Sequence, residues 1–121
     1  MIIIVVDSMT GMGLKFAAKL GHPFFPIDGY VHQDDHQVLL ITRSVNFGDI
    51  TEPTRRFLSQ YANQTIGVLV SGNRNWGKNY GAAGDKIKLE YNIPLILKFE
   101  GMGFPHEVTL VKNWLKEKTR S

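Results

Sequence analysis

Cysteine is absent from all 121 residues of the chain. That absence excludes disulfides, thiolate metal sites, cysteine-ligated iron–sulfur clusters and thiol redox chemistry together, so any redox work requires a bound cofactor. Long apolar runs are missing as well: nothing approaches the ~20 consecutive residues that a membrane-spanning helix needs. The apolar start, Met1 to Val6, is cut short by Asp7 and carries no basic leader, which is expected of a strand and not of a signal peptide. These absences make the cytoplasm the expected location. Histidine is sparse, and only His32 and His36 have a metal-like spacing. In Val31-His-Gln-Asp-Asp-His-Gln37 they read as a polar loop, so no metal site is expected. Repeats, low-complexity segments and internal linkers are lacking too, and the length fits one domain spanning residues 1–121.

Charge of one sign is in only slight excess. Fourteen Lys and Arg against eleven Asp and Glu leave a formal charge of +3, scattered along the chain. Such a pattern is expected of a solvated surface, with no nucleic-acid or membrane partner. The densest basic stretch, Lys112 to Arg120, is broken by Glu117 and reads as the wet face of a last helix.

What is present is an alternation of short apolar runs with helix-like stretches. Ile2 to Val6 is a continuous β-branched run, expected of a strand covered on both faces. Gly13 to Leu20 predicts a short helix with Leu14, Ala17 and Ala18 inward, stopped by Gly21. Phe24–Ile27, Val38–Thr42, Thr65–Ser71 and Pro94–Phe99 predict further strands. Helices are expected over Thr54–Tyr61, capped by Thr51, over Tyr80–Tyr91, and from Pro105 onward with Val108, Val111, Trp114 and Leu115 as an apolar stripe. Buried strands separated by helices imply an α/β three-layer sandwich with a five-stranded parallel sheet. A chain this short favours the flavodoxin-like order 2-1-3-4-5, whose ligand site lies at the carboxyl rim between the first and third strands.

Three loops meet at that rim. Asp7-Ser-Met-Thr-Gly-Met-Gly13 places two hydroxyls and two glycines before the first helix, a pattern suited to a phosphate and equally to an ordinary capped turn. It lacks the Gly-Lys-Ser/Thr of a Walker loop and the spaced glycines of a dinucleotide fingerprint, which leaves a monophosphate. The loop after the fourth strand, Ser71-Gly-Asn-Arg-Asn-Trp-Gly-Lys-Asn-Tyr-Gly-Ala-Ala-Gly-Asp85, offers main-chain donors and acceptors beside Trp76 and Tyr80. A flat heteroaromatic ring needs both features, although each aromatic residue alone would read as packing. Arg74 is expected to pair with Asp85 or to fix the loop more than to hold an anion. Arg43-Ser-Val-Asn-Phe-Gly-Asp-Ile-Thr-Glu-Pro53 closes the third side, where Asn46 and Gly48 accept unusual backbone angles.

The segment Ser71-Gly-Asn-Arg-Asn-Trp-Gly77, followed by Tyr80-Gly81 and Ala83-Gly-Asp85, resembles the signature of the NrdI family, the flavodoxin-like accessory proteins of class Ib ribonucleotide reductase. The likeness extends to Asp7-Ser-Met-Thr-Gly11, Asn46-Phe-Gly48, Pro94-Leu95 and Lys98-Phe-Glu100, in matching order along nearly the whole chain. It implies a bound FMN whose reduced form reacts with O2 and delivers superoxide to the dimanganese radical-generating subunit, with a reductase or other electron donor upstream. By this resemblance Ser8, Met9, Thr10, Gly11, Met12 and Gly13 hold the phosphate. Ser44, Val45, Asn46, Phe47 and Gly48 enclose the ring from one side, and Gly72, Asn73, Trp76, Gly77 and Tyr80 from the other. No side chain is implied as an acid or base catalyst; the flavin carries the chemistry, which makes this an accessory protein more than a turnover enzyme.

Two positions depart from the family pattern. Met12 stands where asparagine usually follows Thr-Gly, and Asn46 stands where relatives with this short loop tend to have glycine. That second peptide is thought to flip toward the ring's N5 on reduction. Two other functions fit the three-loop layout: a general electron-transfer flavodoxin, although those tend to be acidic, and a flavin-free binding module on the same fold.

Overall fold

The structure is a computed structural model and describes residues 1–46 and 48–120. Its sheet is built from β1 (Ile2–Val6), β2 (Phe24–Pro26), β3 (Gln37–Val45), β4 (Asp49–Ile50), β5 (Thr65–Ser71) and β6 (Leu95–Phe99). The helices are α1 (Met12–Ala18), α2 (Glu52–Tyr61), α3 (Ala82–Tyr91) and α4 (Pro105–Arg120). The order is β2-β1-β3-β5-β6, all parallel, while β4 pairs antiparallel with β3 outside this path. The five strands of the main path therefore follow the expected order. The sixth is a two-residue return that the sequence alone places in a loop.

Alternation along β1 explains the layers. Ile2, Ile4 and Val6 face one side, where Phe16, Ala17 and Leu20 of the α1 region meet Phe99, Val111 and Leu115. Ile3 and Val5 face the other, against Phe57 and Leu58 of α2 and Ala83 and Ile87 of α3. A strand covered on both faces must be apolar at every position, which is why Ile2–Val6 shows no polar alternation. Each of these large buried side chains contributes on the order of 1.5–3 kcal/mol relative to exposure.

The helix faces differ from expectation at one place. Ala18 is exposed, and Phe16 is fully buried in its stead. Positions 13, 16, 17 and 20 form the inward stripe, one residue out of phase with the predicted face. In α4 the stripe is as expected, with Val111 and Leu115 buried and Val108 and Trp114 packed against them. Helix α3 begins at Ala82 and not at Tyr80, because Gly81 takes a left-handed φ of 62° immediately before it. Among the described residues no helix is long and apolar enough to cross a membrane.

Thr51 caps α2 by accepting the Thr54 N–H at 3.2 Å, and its hydroxyl also donates to the buried Asp7. Thr51→Ala is expected to lower stability by about 1–2 kcal/mol, since it removes both the cap and a buried donor. Urea unfolding checks this; Thr51→Ser should recover most of the loss.

Candidate functional site

Because the strands of the main path all point the same way, the loops that follow β1, β3, β5 and β6 open at one rim of the sheet. They enclose a cleft of about 250 Å³, lined by Ser8, Met9, Thr10, Met12, Gly13, Arg43, Ser44, Ser71, Gly72, Asn73, Trp76 and Gly101. Residues predicted from three separate segments thus meet in one place. Two larger grooves, of about 330 and 480 Å³, lie around Tyr30 and Tyr61 and around Met1, Phe25 and Val31. Neither is lined by the glycine- and hydroxyl-rich loops at the switch point, so volume alone does not select the site.

The first loop is held by its own atoms. Ser8 Oγ accepts the Gly11 N–H at 3.0 Å, and Gly11 turns at φ 83° into α1. With only seven residues α1 has little macrodipole, so what the loop offers an anion is its unbonded N–H groups at the first turn and the Thr10 hydroxyl. Gly13 packs directly on the sheet, where an added Cβ would lie 3.1 Å from Val6 Cγ1. Met9 is 75% exposed at the lip.

The second loop is a hairpin. β3 runs on to Val45 and pairs antiparallel with β4, and the Gly48 N–H is bonded to the Val45 carbonyl at 2.9 Å. Asn46 adopts φ 48°, the left-handed geometry that asparagine tolerates better than other residues with a Cβ. Gly48 sits so close to α3 that an added Cβ would lie 2.6 Å from Ala82 Cβ. Ser44 Oγ accepts the Ala83 N–H at 3.2 Å and so ties this hairpin to the start of α3. Phe47, assigned to the ring from sequence, lies outside the described residues.

Short helical turns over Arg74–Asn79 shape the third loop, kinked at Gly77. Arg74 does not pair with Asp85. Its guanidinium reaches Glu100 at 3.4 Å and Glu107 at 3.8 Å, and lies over the Tyr80 and Phe104 rings. Asp85 pairs instead with Lys98 at 2.7 Å, because α3 packs beside β6. Trp76 borders the cleft and is half-buried. Tyr80 does not line it: the ring lies against Gly72, with its hydroxyl oxygen buried and without a hydrogen-bond partner among the described residues. Burial pushes this phenol above its ordinary pKa, partly offset by Arg74, so it remains neutral at physiological pH.

Of the residues assigned from sequence, Ser8, Met9, Thr10, Met12, Gly13, Ser44, Gly72, Asn73 and Trp76 border the cleft. Gly11, Val45, Asn46, Gly48, Gly77 and Tyr80 lie in the same loops but not on the lining. Arg43, Ser71 and Gly101 escape the sequence assignment. The first two stand near the carboxyl ends of β3 and β5, whose course the sequence predicts, and the rim position of those strand ends is the signal that finds them. Gly101 belongs to the loop after β6, which parallel topology also delivers to this edge. Among the described residues the one charged side chain on the lining is Arg43. Its Nε lies 3.5 Å from Asp7 Oδ1, within ion-pair range but without hydrogen-bond geometry. Elsewhere, His32 and His36 both direct Nδ1 at the Tyr30 hydroxyl, 2.8 Å away, and His32 stacks on Tyr61.

Comparison with known proteins agrees with this geometry. The fold is shared with a solved short-chain flavodoxin associated with a PDU bacterial microcompartment, at TM-score 0.70 and 12% identity, covering 98% of this chain and 97% of that one. Protein NrdI of Macrococcus caseolyticus (strain JCSC5402) is 35% identical over 106 residues, covering 88% of this chain and 82% of the relative. The SPbeta prophage-derived protein NrdI of Bacillus subtilis (strain 168) is 38% identical over 101 residues, covering 80% and 78%. The family described as "NrdI Flavodoxin like" matches residues 4–113, the span that contains all the loops of the cleft. On sequence and fold together, this chain belongs to the NrdI flavodoxin-like family.

Proposed function

We propose that the chain binds one FMN in this cleft and serves a class Ib ribonucleotide reductase in the cytoplasm. The observation that carries the reading is the meeting of the loops after β1, β3 and β5 around one cleft whose single charged lining residue is a cation. The residues present fit the cofactor: hydroxyls and first-turn N–H groups at one end for a phosphate, and Trp76 with main-chain groups of Gly72 and Asn73 at the other for a ring. When bound and reduced, the flavin supplies electrons to O2, and the superoxide formed supports assembly of the dimanganese-tyrosyl radical cofactor.

The protein's own part is positional. Ser8 to Gly13 hold the phosphate through backbone donors, so Met12 in place of asparagine leaves those N–H groups intact. Ser44 to Gly48 and Gly72 to Tyr80 flank the ring. Asn46 holds a left-handed φ, so this position accommodates the backbone geometry for which relatives use glycine. The exposed apolar side chains at the rim, Met9, Met102 and Phe104, give the dimanganese subunit a surface to cover.

The test is direct. The purified protein is titrated with FMN, reduced with dithionite and exposed to O2 beside the dimanganese subunit. One FMN per chain and a tyrosyl radical signal in electron paramagnetic resonance are expected. A protein that stays colourless in excess FMN, or a loaded protein that yields no radical, overturns the reading.

A further inference from the structure

We propose that Arg43 tunes the cofactor: its guanidinium biases the cleft toward the reduced, negatively charged flavin over the oxidised one. This rests on the flavin reading of the cleft and assigns one residue a role within it. Three observations carry it. Among the described residues Arg43 is the one charged side chain on the lining, it lies within ion-pair range of a buried carboxylate, and most of its donors are uncommitted.

The anchoring partner is Asp7, 5% exposed at the end of β1. Oδ2 of Asp7 already receives the hydroxyls of Thr42, Thr51 and Thr54, so the carboxylate does not depend on the guanidinium for its hydrogen bonds. The Arg43 Nε is buried 3.5 Å from Oδ1 and makes no hydrogen bond. Among the described residues the guanidinium has no other polar partner, although it carries five N–H donors. The side chain is 21% exposed, so its charge is screened less than a fully solvated one would be.

Two other cations near the rim are committed. Arg74 is bound by Glu100 and Glu107, and Lys98 by Asp85. Arg43 pairs in register with Ser71, so its backbone lies beside the start of the third loop, while its guanidinium reaches toward Asp7 of the first, and the side chain borders the cleft between them. Two-electron reduction of a flavin with uptake of one proton leaves a net negative charge on the ring. A fixed cation there favours the reduced form, because charge near the ring is a principal lever on a flavin's electronics.

The experiment measures FMN affinity in both redox states, with dithionite as reductant, for the wild type, Arg43→Gln and Arg43→Lys. R43Q is expected to weaken binding of reduced FMN about tenfold while oxidised FMN changes less than about threefold, and a tenfold change in that ratio lowers the two-electron midpoint potential by about 30 mV. R43K keeps the charge and should retain most of the wild-type ratio. Unchanged thermal midpoints show that the variants remain folded. Equal weakening of both states, with riboflavin binding unaffected, makes Arg43 a phosphate anchor and overturns the proposal. No change in either state leaves it as a partner of Asp7 only and overturns it equally. A wild type that binds FMN in neither state is a failure of the flavin reading itself, distinguishable because it appears before any variant is compared.

Discussion

Asp7→Ala is expected to lower the free energy of unfolding by about 3 kcal/mol, because it removes the buried acceptor of three threonine hydroxyls together with the ion-pair partner of Arg43. The carboxylate is the node at which β1, β3 and α2 are joined. It receives Thr54 Oγ at 2.9 Å, Thr42 Oγ at 3.5 Å and the Thr51 hydroxyl, while Arg43 stands 3.5 Å from its other oxygen. Alanine would leave at least one buried threonine hydroxyl without an acceptor and Arg43 without its ion-pair partner; Thr42 and Thr54 retain only their mutual contact at 2.7 Å. Because the first and second loops leave from this node, FMN binding should weaken along with stability. Urea unfolding decides the first point and flavin titration the second. Asp7→Asn keeps an acceptor of the same shape and should fall between the two. A D7A protein within about 1 kcal/mol of wild type, on the scale of an ordinary surface change, would show that the node is dispensable.

A second substitution acts through space and backbone at once. Gly103→Ala is expected to cost about 3 kcal/mol, combining a left-handed backbone penalty with overpacking of the core. Gly103 has φ 75°, and an added Cβ would lie 2.4 Å from Cε2 and 2.6 Å from Cδ2 of Phe16. That ring has nowhere to go: it is fully buried and packs on Phe99 with centroids 4.6 Å apart. Gly101, at the mouth of the cleft, belongs to the same short loop, which is fastened to α4 by Glu107 accepting the Phe104 N–H at 2.8 Å. A shift at Gly103 should therefore be felt at the cleft as well as in the melting temperature. Gly101→Ala is the control, since an added Cβ there would meet nothing within 4 Å and only the backbone penalty at φ 63° applies. Equal losses in the two variants would rule out the clash with Phe16.

Much of the architecture is legible because local signals and the global fold agree. Ile2–Val6 reads as a doubly covered strand since both faces of the sheet are packed, and Thr51 reads as a cap since Pro53 and a helical face follow it. The three loops can be placed at one rim from the order of elements alone, because parallel strands send their carboxyl ends to the same edge. The readings that fail are of another kind. The phase of α1, with Phe16 inward and Ala18 outward, depends on which side of a seven-residue helix meets the sheet, and so short a segment gives too few turns to fix it. The pairing of Arg74 with Glu100 and Glu107, and of Lys98 with Asp85, joins residues from different elements, and opposite charges elsewhere in the chain offer equally good partners.

By itself the sequence determined that the protein must rely on a cofactor for any redox work, that its first strand is buried on both faces, and which loops gather at the carboxyl edge. These follow from composition and periodicity, which act residue by residue. Only the tertiary structure decided that Arg43 brings charge to the cleft, that Arg74 pairs with Glu100 and Glu107 and lies over Tyr80, and that Asp7 joins β1 to β3 and α2. Such roles depend on distances between side chains far apart in the chain, and those distances are set by how helices and strands pack against one another.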